Sequence, residues 1–204
     1  MDFWHLFTKL ADTNLTVPAA AIIALWLLGS GAWRACINWC LLFGIGLFLV
    51  AATKVAYAGW GIGIASVDFK GFSGHAMRAA AIMPAMMYLL FQKQKREMQS
   101  AGIWFGVAFA VGIGISRLVL GVHSVSEVVT GLPLGFAISF LFIHFCRKQA
   151  IITSHRGLLL VAILLLLPSL AMKPAPTESW IARVAIALAG ADQAPEIRQR
   201  MHDL

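Results

Sequence analysis

The chain has 204 residues, 60% of them hydrophobic and 12% charged, with a mean hydropathy of +0.81, which excludes an ordinary soluble domain and indicates an integral membrane protein. Its formal charge of +7 and pI of about 9.8 do not describe a nucleic-acid-binding domain, because the basic residues are scattered between apolar spans rather than gathered on one soluble face. A membrane-topology signal and an anionic substrate account for them instead.

Residues 1–14 alternate Phe3, Trp4, Leu6, Phe7 and Leu10 with Asp2, His5, Lys9 and Asp12. The pattern fits a short amphipathic helix at the membrane interface, or equally a frayed terminus, and it lacks the continuous apolar core of a cleavable signal peptide. Thr16 and Pro18 suit the cap and first turn of a first span over about residues 15–31. A tight connection through Gly29, Gly31 and Arg34 leads to a second span over about residues 37–57, which ends in a turn bearing Lys54.

Gly59-Trp60-Gly61-Ile62-Gly63 lacks the spacing and the strand–helix context of a nucleotide-binding fingerprint and reads as a flexible loop. Phe72-Ser73-Gly74-His75 opens a third span over about residues 75–91, with Pro84 expected to kink it. A basic loop with Lys93, Lys95 and Arg96 precedes a fourth span over about residues 101–120, where Gly106, Ala108, Ala110, Gly112 and Gly114 suit close helix packing. A fifth span covers about residues 126–146 with Pro133 inside it. A sixth, over about residues 157–172, follows a polar turn carrying Arg147, Lys148, His155 and Arg156.

The tail after Lys173 is polar, but Trp180, Ile181, Val184 and Leu188 recur at helical spacing and predict a short amphipathic helix at the membrane surface. Cys36, Cys40 and Cys146 show neither a disulfide framework nor zinc-ligand spacing and read as buried free thiols. The expected architecture is an all-α polytopic membrane helix bundle of about six transmembrane helices. It divides into an interfacial segment (1–14), a six-span domain (15–172) and a polar tail (173–204).

Six spans place Arg34, Lys93, Lys95, Arg96, Arg147, Lys148 and Arg156 on one side, which the positive-inside rule makes cytoplasmic. Lys54, Ser73, Gly74, His75, Arg117 and His123 then all fall at the opposite, outward face. Ionisable groups at a membrane boundary are costly and usually mark a site.

The cluster has the parts that phosphoryl transfer requires: a nucleophile, a proton donor and cations. Glu127 lies one helical turn after His123, so its carboxylate can hold one ring nitrogen and leave the other as an attacking lone pair. His75 is then available as general acid. Backbone N–H groups at the Ser73-Gly74-His75 helix start favour an anion, Arg117 offers a planar fork, Lys54 adds a point charge, and Arg78 is one turn from His75.

Other readings stand beside these. Ser124-Val125-Ser126-Glu127 is a capping-box pattern, so Glu127 fits a helix cap as well as a histidine orienter. Ser73 fits a plain N-cap, and Lys54 and Arg117 fit interfacial anchors. Asp68 and Lys70 read as solvated loop charges.

These residues resemble the type-2 phosphatidic acid phosphatase superfamily. Its motifs are a lysine followed after six residues by Arg-Pro, then Pro-Ser-Gly-His, then Ser-Arg, five residues, His, three residues, Asp. Ser116, Arg117 and His123 match the third motif, Ser73, Gly74 and His75 the second, and Lys54 the lysine of the first. The chain departs from the pattern at Gly61 and Ile62, which stand for Arg-Pro, at Phe72, which stands for proline, and at Glu127, which stands for aspartate. Arg78 or Lys70 could supply the missing cation.

The resemblance implies a lipid phosphatase at the outer face of a bacterial inner membrane. In it His123 attacks phosphorus, His75 protonates the leaving group, Glu127 orients His123, and Lys54, Ser73, Gly74, Arg117 and Arg78 hold the phosphate. No cofactor, metal or nucleic acid is implied. The expected partners are membrane lipids and a lipid phosphate or diphosphate, with phosphatidic acid, phosphatidylglycerol phosphate, polyprenyl diphosphates and lipid A phosphates among the family's substrates. The same residues would also serve a lipid phosphotransferase, and the gap at Gly61 and Ile62 leaves a non-catalytic lipid-binding protein as the reading from another class.

Overall fold

A computed structural model describes residues 3–147 and 176–202, and among these the regular structure is helical throughout. In chain order the helices are α1 (Phe3–Lys9), α2 (Thr13–Gly29), α3 (Trp33–Trp60), α4 (Gly74–Phe91), α5 (Arg96–Val119), α6 (Val125–Cys146), α7 (Thr177–Ala189) and α8 (Ala194–His202). Four helical stretches, residues 3–29, α3, α5 and α6, are long and apolar enough to cross a membrane. About six spans is therefore more than the described residues carry. α4 falls short on composition, and the sixth apolar run, with Lys148, His155 and Arg156, lies outside the described residues.

The position of α4 explains its composition. It is the central helix, packed mainly against α5 and α6. It buries Ala76, Ala79, Ala80, Ala81 and Ala85 together with Met77, Ile82 and Leu89. A helix shielded from lipid does not need the hydropathy of a lipid-facing span, and it can carry His75 and Arg78 where protein rather than hydrocarbon surrounds them.

Small residues let the neighbours close on it. A Cβ at Gly106 of α5 would lie 2.7 Å from the backbone nitrogen of Pro84, and one at Gly131 of α6 would lie 2.8 Å from the Ser73 carbonyl oxygen. At Gly135 it would meet the Met77 carbonyl. The α5 small-residue run serves three partners, since Gly112 faces Phe7 of α1 and Gly114 faces Val128 and Leu132 of α6. Ala108 is exposed and takes no part.

Helix length sets the depth of the cations. From Trp33 to Lys54, and again from Arg96 to Arg117, the rise is about 32 Å at 1.5 Å per residue, close to the hydrocarbon thickness of a bilayer. Lys54 and Arg117 therefore reach the same end of the bundle on different helices.

Three boundaries differ from the sequence reading. α3 continues through Gly59 and Trp60 and stops only at Gly61, which adopts the left-handed conformation (φ 67°), so the first two residues of the glycine segment read as a loop are helix. The N-cap of α2 is Asp12 rather than Thr16, because the helix begins at Thr13. The N-terminal segment does not merely lie at an interface: Thr8 and Ala11 are buried, and the Phe7 ring packs edge-on against Phe109 of α5 at 5.4 Å.

The tail helix forms as the spacing predicts, but it docks on the protein. Ala185 of α7 and Ile197 of α8 are buried with Val55 and Ala58 of α3, and Ile181 packs against that cluster, while Trp180, Val184 and Leu188 stay exposed. Arg200 secures the dock by donating from Nη1 to the carbonyls of Ala58 and Gly59, each at 3.1 Å.

Candidate active site

One cavity of about 810 Å³ opens at the end of the bundle where α3 and α5 finish and α4 and α6 begin. Lys54, Gly74, His75, Arg78, Arg117, His123 and Glu127 all line it, so residues from position 54 to position 127 converge on one space. Ser73 alone among the expected site residues is not on the wall. It is buried as the N-cap of α4, where its Oγ accepts from the Ala76 N–H at 3.5 Å.

His123 sits in the turn between α5 and α6. Its Nδ1 lies 2.7 Å from Glu127 Oε2, with both side chains 5% exposed or less. Glu127 also completes the capping box of α6, accepting from the Ser124 N–H at 3.2 Å while Ser124 Oγ accepts from the Glu127 N–H at 3.4 Å. Its Oε1 accepts from the Lys70 N–H at 3.2 Å. One side chain thus makes both the cap bonds and the contact with His123, and the cap fixes the carboxylate against the histidine.

Burial is the largest influence on the His123 imidazole and pushes its pKa below the ordinary 6.5. Hydrogen bonding to Glu127 opposes this, and the charges of Lys54 and Arg117 reinforce it. The ring is thus neutral at pH 7, with Nδ1–H donated to the carboxylate and Nε2 carrying the lone pair.

Lys54, Arg78 and Arg117 are held without a close ion pair, with Asp12, Glu127 and Glu178 acting on them from further off. Among the described residues no carboxylate forms an ion pair with Lys54, Arg78 or Arg117. Arg78 is 7% exposed and donates from Nε to Thr16 Oγ1 at 2.9 Å and from Nη2 to the Ala11 carbonyl at 3.4 Å. Its Nη1 lies 2.8 Å from where a Cβ of Gly74 would stand, so any larger residue there would displace the guanidinium from the start of α4.

Arg117 donates from Nη1 to Thr8 Oγ1 at 3.2 Å, and its buried Nε has no partner. Lys70, by contrast, is paired with Asp68 at 3.2 Å, and that hydrogen bond and charge together hold the ammonium pKa above its ordinary value despite some desolvation. Several cations without a close ion pair and an unused donor around one cavity describe an anion site.

The remaining wall is mixed: Thr13, Asp68, Lys70 and Ser124 add polar groups, and the rest is largely apolar. Val17 of α2, Leu47, Val50, Ala51 and Val55 of α3, and Ile181 and Val184 of α7 continue the cavity from its polar end. Thr177, Glu178 and Trp180 join them, so the C-terminal helix closes one side of the site.

The sequence reading did not find the residues that brace the cations and His75. Thr8, the Ala11 carbonyl, Asp12 and Thr16 all come from the N-terminal segment, and Asp12 Oδ1 lies 3.0 Å from His75 Nε2. Thr8, Asp12 and Thr16, spaced four residues apart, were the available signal.

Position 61, where the resemblance calls for arginine, does different work here. Gly61 caps α3 in the left-handed conformation, is absent from the cavity wall, and its Cβ direction meets the Arg200 guanidinium at 3.9 Å.

Two histidines beside a group of cations, set in a bundle of apolar helices, form a candidate anion site in a multi-pass membrane protein. The sequence profile of the PAP2 superfamily matches residues 60–151, which include the second and third motifs and begin after Lys54. An uncharacterised 22.5 kDa protein in the cps region of Klebsiella pneumoniae is 34% identical over 207 residues, covering 98% of this chain and 97% of that protein. Phosphatidylglycerophosphatase B of Bacillus subtilis (strain 168) is 39% identical over 84 residues, 40% of this chain and 41% of that one. No solved structure matches. The chain belongs to the PAP2 superfamily.

Proposed function

We propose that the chain is a membrane lipid phosphatase that hydrolyses a phosphate monoester or diphosphate of a lipid through a phosphohistidine on His123. Its site faces the periplasm or cell exterior of a bacterial inner membrane. The observation that carries this reading is one cavity whose wall holds two histidines and four cations, Lys54, Lys70, Arg78 and Arg117, together with Val17, Leu47, Val50, Ala51, Val55, Ile181 and Val184. A phosphate headgroup suits the first part and an acyl or prenyl chain the second.

His123 Nε2 attacks phosphorus as the bond from phosphorus to the leaving oxygen breaks, and His75 gives that oxygen its proton. Lys54, Arg78, Arg117 and the N–H groups at the start of α4, where Gly74 allows close approach, offset the charge on the equatorial oxygens. Ser73 shapes that turn as its cap. Water then attacks the phosphohistidine and gives His75 a proton, and the nitrogen–phosphorus bond breaks to release phosphate. The histidines and cations perform each step without a metal. The similarity to a phosphatidylglycerophosphatase B supports a lipid phosphate substrate, and the presence of Arg78 on the wall counts against a degenerate, non-catalytic site.

The test is phosphate release by purified protein in detergent from phosphatidic acid, phosphatidylglycerol phosphate, a polyprenyl diphosphate and a lipid A phosphate, with and without a chelator and vanadate. Release from at least one lipid, unaffected by chelation and inhibited by vanadate, is expected. Inactivity on the whole panel would overturn the reading.

The double role of Glu127 is separable. Glu127→Gln is expected to lower turnover about 10³-fold, as loss of the carboxylate frees the histidine tautomer. Thermal stability should change little, because glutamine also completes a capping box. Equal loss of stability and activity would make the residue a cap alone.

A further inference from the structure

Asp12 stands at the N-cap of α2, where an aspartate ordinarily accepts a hydrogen bond from a backbone N–H of the first turn. Its side chain makes no such bond. The cap is left to the backbone carbonyl, which accepts from the Thr16 N–H at 2.9 Å and the Leu15 N–H at 3.0 Å. The carboxylate instead meets His75 Nε2 at 3.0 Å across 63 residues of sequence. Asp12 does not line the cavity, so it stands behind the histidine rather than beside the substrate.

The same segment supplies Thr8 to Arg117, and the Ala11 carbonyl and Thr16 to Arg78. Burial disfavours a positive charge on His75, the hydrogen bond to the Asp12 carboxylate favours one, and the guanidinium groups of Arg78 and Arg117 oppose it again. Resting on the phosphatase reading, we propose that Asp12 is the positioning residue of the general acid, holding His75 as Glu127 holds His123, so that each histidine has its own carboxylate.

In the imidazolium, Nε2–H is donated to Asp12 and Nδ1–H is the proton that passes to the leaving oxygen. The product is a neutral ring still bonded through Nε2–H to the carboxylate. Asp12 itself neither gains nor loses a proton.

The prediction turns on the leaving group, because a good leaving group departs without a proton and a poor one does not. Wild type, Asp12→Asn, Asp12→Glu and His75→Ala are compared on phosphatidic acid, whose leaving group is an alkoxide, and on p-nitrophenyl phosphate, whose leaving group is a stabilised phenolate. Asp12→Asn is expected to lose about 10- to 100-fold in kcat/KM on phosphatidic acid and less than about threefold on the aryl ester, with His75→Ala showing the same pattern enlarged.

Asp12→Glu should recover part of the loss. On phosphatidic acid, Asp12→Asn combined with His75→Ala should be no worse than His75→Ala alone, since the carboxylate acts through the ring. An active wild type with equal losses on both substrates, or with additive losses in the double variant, would overturn this role while leaving the phosphatase reading intact. A wild type inactive on both substrates and on the lipid panel would overturn both.

Discussion

Replacement of His123 by alanine is expected to reduce phosphate release by about 10⁴-fold or more, the scale on which removal of an enzyme's nucleophile is felt. The expectation rests on geometry that leaves the ring one use. Nδ1 is bound to Glu127 at 2.7 Å, the side chain is 5% exposed, and the ring stands on the wall of the cavity that Lys54, Arg78 and Arg117 make attractive to phosphate. A general acid would lose less when removed, about 10²- to 10⁴-fold, and chiefly on substrates with poor leaving groups. His75→Ala is the comparison that separates the two histidines.

The pH dependence follows from the same environment. His123 must be neutral to attack, and burial sets its pKa below 6.5, so activity is present at pH 7 and is lost as pH falls through that depressed value. The acid limb of kcat/KM, measured on a substrate whose own ionisation has been allowed for, should therefore lie below pH 6.5. A limb above that, or an alanine variant within tenfold of wild type, would move the nucleophile elsewhere.

The parts of this protein that sequence made legible are those governed by local chemistry. The five helices from α2 to α6 follow from apolar runs bounded by glycine, by the serine caps Ser73 and Ser124, and by basic turns. Glu127 could be read twice because a capping box and a histidine at i−4 are both short-range patterns. What the sequence withheld are relations across the fold.

The bond between Asp12 and His75 spans 63 residues, and that between Thr8 and Arg117 spans 109. Helical periodicity reports that a face is buried but not which neighbour buries it, so the N-terminal segment read as interfacial or frayed. For the same reason the α7 stripe of Trp180, Ile181, Val184 and Leu188 read as membrane-facing, although Ile181 turns to α3. Ser73 carried two readings, phosphate ligand and N-cap, and its hydroxyl makes the cap bond, accepting from the Ala76 N–H at 3.5 Å.

Arg78→Ala is the second large expected effect, a loss of about 10²- to 10³-fold in kcat/KM, the range found when a preorganised donor to a developing anion is removed. The family's first motif supplies an arginine at a position that is Gly61 here, the left-handed cap of α3 and off the cavity wall. A site built to offset phosphate charge with one cation fewer would be weaker, and Arg78 is the group proposed to fill that gap, ahead of Lys70, which also lines the cavity. It enters from α4, one turn after His75, on the central helix of the bundle.

Two nitrogens of its fork are fixed by Thr16 and Ala11, and the third stands over Gly74. A lysine ammonium is a point donor on a flexible stem, so Arg78→Lys should retain the charge and lose the anchoring. It is expected to recover only part of the activity that Arg78→Ala loses.

Arg78→Met preserves most of the volume and separates packing from charge; its turnover should match that of Arg78→Ala while its thermal stability stays nearer wild type. Lys70, the other cation that could replace the missing arginine, is paired with Asp68 at 3.2 Å, and Lys70→Ala should stay within about threefold of wild type, the scale of a surface ion pair. If Lys70→Ala is the damaging variant and Arg78→Ala is silent, the missing cation comes from the loop and not from the central helix.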